Sequence, residues 1–124
     1  MHLIIGGAYQ GKLDFAKARY HFSPEQICIC TPDTIDFSAP CITRAEELVY
    51  GCVLRGEDAV SLFRQNREAW KNSVLILRDI SGGLVPIEPN ERAWREMTGK
   101  LCQYLCGEAD SVSRIFCGLE QKLK

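Results

Sequence analysis

The chain has 124 residues, which is enough for one domain of ordinary size and too few for two. Its composition, 46% apolar and 25% charged, is typical of a folded globular protein and excludes a disordered or fibrous chain. With 15 basic and 16 acidic residues the net charge is −1, so electrostatics give no reason to expect nucleic acid or an anionic membrane as a partner.

The first part of the chain alternates short apolar runs with a helical pattern. Residues 2–5 are apolar and stop at a glycine pair, which predicts a buried strand. A helix is predicted from residue 12 to about 21, where a Ser-Pro pair breaks it, and a second strand over 27–30. The segment 31–40 holds two prolines and two aspartates, and we predict a loop there.

A capping box opens the middle of the chain. Thr43 followed by Glu46 predicts the start of a helix that runs to about Arg55. Gly56 interrupts the pattern, and a further helix is predicted over 57–70.

The remaining elements complete the alternation of strands and helices. We predict a buried strand over 74–77, a loop over 81–90, a helix over 91–107 and a closing strand over 112–117. Alternating elements imply right-handed βαβ units. The sequence therefore predicts one α/β domain over residues 1–124, a P-loop-like parallel sheet flanked by helices.

The sharpest motif is Gly6-Gly7-Ala8-Tyr9-Gln10-Gly11-Lys12-Leu13, hereafter the glycine loop, between the first strand and the first helix. It fits Gly-x-x-x-x-Gly-Lys, whose backbone N–H groups surround a phosphate while the lysine contacts the β- and γ-phosphates. The next position is normally Ser or Thr, which ligates Mg²⁺, but Leu13 has no ligand atom. An ordinary glycine turn before a helix that begins with lysine is the alternative interpretation.

An acidic residue follows the predicted strand of residues 74–77. Asp79 comes after the apolar run and Arg78, as the metal-holding acid does in nucleotide hydrolases. Together with the glycine loop it predicts a nucleoside-phosphate site in which Lys12 and Asp79 are the catalytic candidates.

Four motifs in the C-terminal half carry a family resemblance. They are Leu84-Val85-Pro86, Arg92-x-x-Arg95-Glu96-x-x-Gly99-x-x-Cys102-Gln103, Glu108-Ala109-Asp110-Ser111-Val112, and Cys117-Gly118-Leu119 with Leu123-Lys124. With the glycine loop, they resemble in order the bifunctional adenosylcobinamide kinase / adenosylcobinamide-phosphate guanylyltransferase family of cobalamin biosynthesis. The resemblance covers residues 1–31 and about 73–124.

This resemblance implies a trimer that uses ATP or GTP to phosphorylate the aminopropanol hydroxyl of adenosylcobinamide and then transfers GMP through a guanylated histidine. It implies that residues 6–12 hold phosphate and that Thr31 contacts the nucleotide. It also matches Asp79 to a family glutamate and Glu46 to an acidic nucleotide contact.

The chain departs from the family pattern at several positions. Gln10 and Leu13 replace serines, Arg78 and Cys102 replace asparagines, and no histidine follows His21. We therefore expect kinase activity at most, with Mg²⁺ binding weakened by Leu13. A non-catalytic nucleotide-binding regulator or assembly subunit is the alternative.

Seven cysteines, an odd number, are the unusual feature of the composition. Because the sequence starts without a signal-peptide pattern, we expect reduced thiols in a cytoplasmic protein. Cys102 and Cys106 share a helix face and could bind a metal, and a cysteine-based redox or metal module is the third hypothesis. We favour small buried hydrophobic residues and predict no metal site.

Overall fold

The computed structural model of the chain describes residues 1–80 and 87–124. Its strands are β1 (His2–Gly6), β2 (Ile27–Ile29), β3 (Cys41–Thr43), β4 (Val74–Arg78), β5 (Ser111–Phe116) and β6 (Leu119–Lys122). Its α-helices are α1 (Lys12–Tyr20), α2 (Ala45–Arg55), α3 (Ala59–Gln65), α4 (Arg67–Trp70) and α5 (Pro89–Glu108), with a 3-10 helix at Pro24–Gln26.

The six strands form one sheet in the order β2-β3-β4-β1-β5-β6. All neighbours are parallel except β5 and β6, which form an antiparallel hairpin. The predicted α/β class, a mainly parallel sheet flanked by helices, is confirmed. Because β1 pairs with β4 in parallel, the carboxyl ends of these two strands lie side by side at one edge of the sheet.

Helices cover both faces of the central strands, which explains why those strands are apolar runs rather than alternating patterns. On one face α1 packs against Ile4 and Ile76, together with Ile115 of β5. On the other face α2, α3 and α5 enclose a larger core around Leu75 and Phe63.

The capping-box prediction is wrong. Thr43 lies in β3, where its side chain is buried in the sheet, and α2 begins one residue later than predicted. The residue that caps α2 is Arg44, at a left-handed φ of 60°, and it makes no side-chain capping bond. The short strand was missed because its three residues, which follow Pro40, carry no periodicity that separates them from the helix.

Two further predictions change in detail. The helix predicted over 57–70 is divided into α3 and α4 at Asn66, whose φ of −103° and ψ of 16° are not helical. The strand predicted to close the sheet is followed by β6, which was not predicted. The Leu84-Val85-Pro86 motif and residues 81–86 of the predicted loop lie outside the described residues.

Of the helices in the described ranges, none combines the length and the apolar character needed to cross a bilayer.

Candidate functional site

The glycine loop leaves the carboxyl end of β1 and enters α1. A Cβ on Gly6 would lie 2.6 Å from the carbonyl oxygen of Ile115, so this position is restricted to glycine by close approach of the neighbouring strand. Gly11, at a φ of 87°, is the N-cap of α1 and supplies the left-handed turn that starts the helix. The two glycines thus fix where the loop begins and ends.

The N-terminus of α1 points into this loop without a side-chain cap. No side chain in the described part of the chain caps the first turn of the helix, whose N–H groups have no acceptor within the helix. The helix dipole adds partial positive charge at the same place. The helix start is therefore available to an anion.

Lys12, the first residue of α1, adds a full positive charge. Its Nζ donates a hydrogen bond of 2.5 Å to the carbonyl oxygen of Gly7, which folds the side chain back over the loop. Burial lowers the pKa of Lys12; Glu46 opposes this shift and Arg78 adds to it. A partly desolvated ammonium attracts an anionic ligand more strongly than a fully hydrated one does.

A cleft of about 580 Å³ opens in front of the loop. It is bounded by the glycine loop on one side and by the ends of β3 and β4 and the start of α2 on the other. Among the described residues, its polar and charged lining consists of Gln10, Lys12, Asp14, Thr43, Arg44, Glu46, Glu47 and Arg78, and its apolar lining includes Ala8, Tyr9, Leu13, Ile29 and Ile76.

Glu46 is the buried acid of the cleft, with an exposed fraction of 4%. Its Oε1 accepts a hydrogen bond of 2.8 Å from the backbone N–H of Arg78, and its carbonyl oxygen accepts one of 2.7 Å from Trp94 Nε1. Burial raises the pKa of the Glu46 carboxyl, against the opposing effects of the bond from Arg78 and the charges of Arg78 and Lys12. The side chain expected to cap α2 thus bonds to the end of β4 instead.

Arg78 is a cleft residue for which the sequence analysis proposed no function. It ends β4, and its guanidinium lies 5.9 Å from the ring centroid of Trp94, in a cation–π contact. The exposed Arg44 brings a third cation to the same cleft. The available signal for Arg78 was that a charged residue ends an apolar strand. From that signal only Asp79, the next residue, was predicted to be a site residue.

Asp79 and Thr31 lie away from the described lining of this cleft. The backbone N–H of Asp79 donates a bond of 2.8 Å to the carbonyl oxygen of Gly6, which joins the ends of β1 and β4, but Asp79 borders a second cavity on the α5 face instead of the cleft. Thr31 Oγ1 lies 2.7 Å from Thr34 Oγ1 and accepts bonds from the N–H groups of Asp33 and Thr34, so it stabilises its own turn.

Neither histidine borders the cleft. His2 lies at the opposite end of β1, with Nδ1 2.6 Å from Ser111 Oγ and its ring stacked on Tyr20. His21 is the C-cap of α1, and its backbone N–H donates to the carbonyl oxygen of Lys17.

Most cysteines are at least partly buried. Cys30, Cys41 and Cys52 are fully so, and only Cys117 is exposed. No cluster of three or more histidine, cysteine or acidic side chains in the described ranges could hold a metal ion.

No protein-family model matches the chain, and no curated protein is significantly similar to it. The glycine loop and Glu46, predicted from separate parts of the sequence, line the same cleft.

Proposed function

We propose that the chain binds a nucleoside triphosphate, ATP or GTP, with its phosphates at the glycine loop. The observation that carries the proposal is the position of Lys12: it starts a helix that has no side-chain cap and lies at the wall of a cleft of about 580 Å³. A helix N-terminus, a lysine and a glycine turn together make an anion site.

The lining of the cleft offers more than one cation to a chain of phosphates, although Asp14, Glu46 and Glu47 balance the charge of its three basic residues. Arg78 and Arg44 face the loop from the β4 and α2 side, so three cations surround the space. The buried Glu46 accepts a hydrogen bond from the backbone N–H of Arg78, which fixes the end of β4 beside the loop. The apolar side chains of Ile29 and Leu13 offer contact surface for a base or ribose.

Phosphoryl transfer to a corrinoid precursor is the reaction that the family resemblance adds to this proposal. In such a transfer Lys12 would neutralise the developing charge on the transferred group. Leu13 offers no oxygen to Mg²⁺, and the described residues contain no cluster of three side chains that could hold the ion in its place. Asp79, the second catalytic candidate, borders the neighbouring cavity, where an acceptor hydroxyl would have to enter. The corrinoid substrate and the trimer rest on the resemblance alone.

A non-catalytic nucleotide-binding protein is the second candidate. It is favoured by the absence of a hydroxyl at Leu13 and by the two histidines, which lie away from the cleft and so provide no acceptor for a guanylyl group. The two candidates differ in their dependence on Mg²⁺, because phosphoryl transfer requires charge neutralisation that binding alone does not.

Isothermal titration calorimetry with ATP and GTP, with and without Mg²⁺, tests the proposal. We expect binding that Lys12→Met weakens at least 10-fold, because the ammonium faces the phosphates. Lys17→Met is the matched control, since Lys17 lies on the exposed side of the same helix. The proposal would be contradicted by an equal loss of nucleotide affinity in both variants. It would also be contradicted if neither nucleotide at millimolar concentration gave any heat of binding.

Leu13→Ser separates the two candidates. It restores a hydroxyl at the position where Mg²⁺ is ordinarily ligated, so an active site should show a larger Mg²⁺ dependence of binding and of nucleotide turnover. Stronger binding without turnover identifies the non-catalytic candidate.

A further inference from the structure

Two residues with an unfavourable backbone conformation line the cleft. Among the residues that the structure describes, four other than glycine have a positive φ. His21 is the C-cap of α1 and Cys117 lies in the turn between β5 and β6, where left-handed residues are ordinary. The other two are Tyr9, at 57°, and Arg44, at 60°, and both line the cleft. Arg44 is one of its three cations, which leaves Tyr9 to be explained.

The conformation of the glycine loop does not explain a tyrosine at position 9. A left-handed φ is unfavourable for a residue with a Cβ and is adopted freely by glycine. The same loop has glycine at Gly11, where φ is 87°. Residues held in this region of the backbone map cluster at ligand sites, where the surrounding structure imposes the strain.

The packing of the fold does not explain Tyr9 either. Its side chain is as exposed as in an extended peptide, at 103% of the reference value. Within the described ranges, no ring contact or cation–π contact joins it to another side chain. The ring therefore compensates none of the strain through contacts in the protein, and its face is free for a ligand.

Tyr9 supplies the one kind of surface that the rest of the described lining lacks. It is the only aromatic side chain there, and Lys12 follows it by three residues. A nucleoside triphosphate has an anionic end, which suits Lys12, and an aromatic base, which stacks on aromatic rings. The half-exposed Ile29 gives the same cleft a second apolar surface.

We propose that the ring of Tyr9 stacks on the base of the bound nucleotide. This inference rests on the nucleotide binding proposed above, because it needs the phosphates at Lys12. Every base presents a π-face, so the contact adds affinity without choosing between adenine and guanine. Tyr9 is thus the residue that distinguishes a nucleotide from an inorganic polyphosphate at this cleft.

Calorimetric titration with ATP, GTP and inorganic tripolyphosphate tests the stacking contact, because tripolyphosphate has the phosphates without the base. Tyr9→Asn removes the ring and keeps a residue that tolerates a left-handed φ. It should weaken ATP and GTP about 5- to 100-fold, the range found for one stacked base, and leave tripolyphosphate unchanged. Tyr9→Phe keeps the ring and should keep the affinity for both nucleotides.

Two further variants separate the ring from the backbone and from the phosphate site. His21→Asn makes a matched substitution at the same φ of 57°, at the other end of α1, and should leave all three affinities unchanged. Lys12→Met should weaken all three ligands. The melting temperature of Tyr9→Asn should not fall below that of wild type, because the ring packs against nothing in the fold.

The outcomes distinguish this inference from the nucleotide proposal. If Tyr9→Asn keeps full affinity for ATP, or loses ATP and tripolyphosphate affinity equally, the stacking contact is overturned. Tripolyphosphate binding that depends on Lys12 then still supports the phosphate site. If none of the three ligands binds wild-type protein at millimolar concentration, both the stacking contact and the nucleotide site are overturned.

Discussion

Gln10 Oε1 accepts a hydrogen bond of 2.6 Å from the backbone N–H of Cys117, which ties the glycine loop to the turn between β5 and β6. The carbonyl oxygen of Gln10 accepts a second bond of 3.0 Å, from the N–H of Gly118. Both turn residues have positive φ, 51° and 76°, as the two-residue turns that suit twisted hairpins require. The loop is thus held from its outer side by the last hairpin.

Gln10→Ala should loosen this attachment without unfolding the chain. The Cys117 amide loses its acceptor while the bond from Gly118 remains, so hydrogen exchange at Cys117 should rise about 2- to 12-fold, the range of one net hydrogen bond. Gln26→Ala is the control, because it removes a similar bond, 2.9 Å from the N–H of Ser23, at a distant 3-10 helix. Unchanged exchange at Cys117 in the first variant would show that the side-chain bond is not formed in solution.

Glu46→Gln should stabilise the protein at neutral pH. Because the pKa of Glu46 is raised in the fold, the folded state binds the proton more tightly than the unfolded state does. The stability associated with this group is therefore complete below its ordinary pKa of 4.5 and is lost as the pH rises through the folded-state pKa. Glutamine mimics the protonated acid and keeps an oxygen for the N–H of Arg78.

The measurement is the melting temperature of Glu46→Gln and wild type from pH 4 to pH 8. We expect similar values at pH 4 and a higher value for the variant at pH 8. The exposed residue Glu25, changed to glutamine, is the control and should give parallel curves. A variant that melts lower at pH 8 would mean that Lys12 and Arg78 compensate the buried charge completely.

Two helical glycines should respond oppositely to the same change. A Cβ on Gly51 in α2 would overlap the carbonyl oxygen of Pro32, which also accepts a bond of 2.7 Å from Arg55 Nη1. Gly51→Ala should lower the free energy of unfolding by about 1–3 kcal/mol. A Cβ on Gly99 in α5 would meet no atom of another described segment within 4 Å, so Gly99→Ala should raise the free energy of unfolding by about 0.5–1 kcal/mol. Urea denaturation measures both changes in the free energy of unfolding. If the two substitutions changed it in the same direction, the packing of α2 on the Pro32 turn would be contradicted.

One thiol should react much faster than the others. Cys117 is exposed at the hairpin turn, whereas Cys41 is buried, and burial raises its pKa to about 11. Titration with 5,5′-dithiobis(2-nitrobenzoic acid) at pH 8 should show one fast thiol in the native protein and seven after unfolding. Cys117→Ser should remove the fast phase; a fast phase that persists would place another cysteine at the surface.

The central part of the fold was predictable because its signals are local. The apolar runs of β1 and β4 need both faces covered, and the glycines of the loop mark the change from strand to helix. The strand β6 has no such signal. All four of its residues are exposed, so it carries neither an apolar run nor an alternating pattern, and its pairing depends on the preceding turn.

The candidate site was predictable only in part, for a similar reason. The glycine loop is contiguous in sequence and could be recognised. The place of Glu46 depends on the pairing of β3 with β4, which brings its carboxylate to the N–H of a residue 32 positions later. The capping-box pattern, which depends only on neighbouring residues, instead predicted that this side chain caps α2. Arg78 and Asp79 could not be separated by sequence, because which of two adjacent residues faces which side of a sheet depends on the register.

The position of Arg78 has a thermodynamic consequence. Arg78 borders the cleft and the second cavity, and its guanidinium makes a cation–π contact with Trp94. A ligand that draws this cation toward one space withdraws it from the other. For two ligands that both contact Arg78, reciprocity then requires that each change the affinity of the other by the same factor.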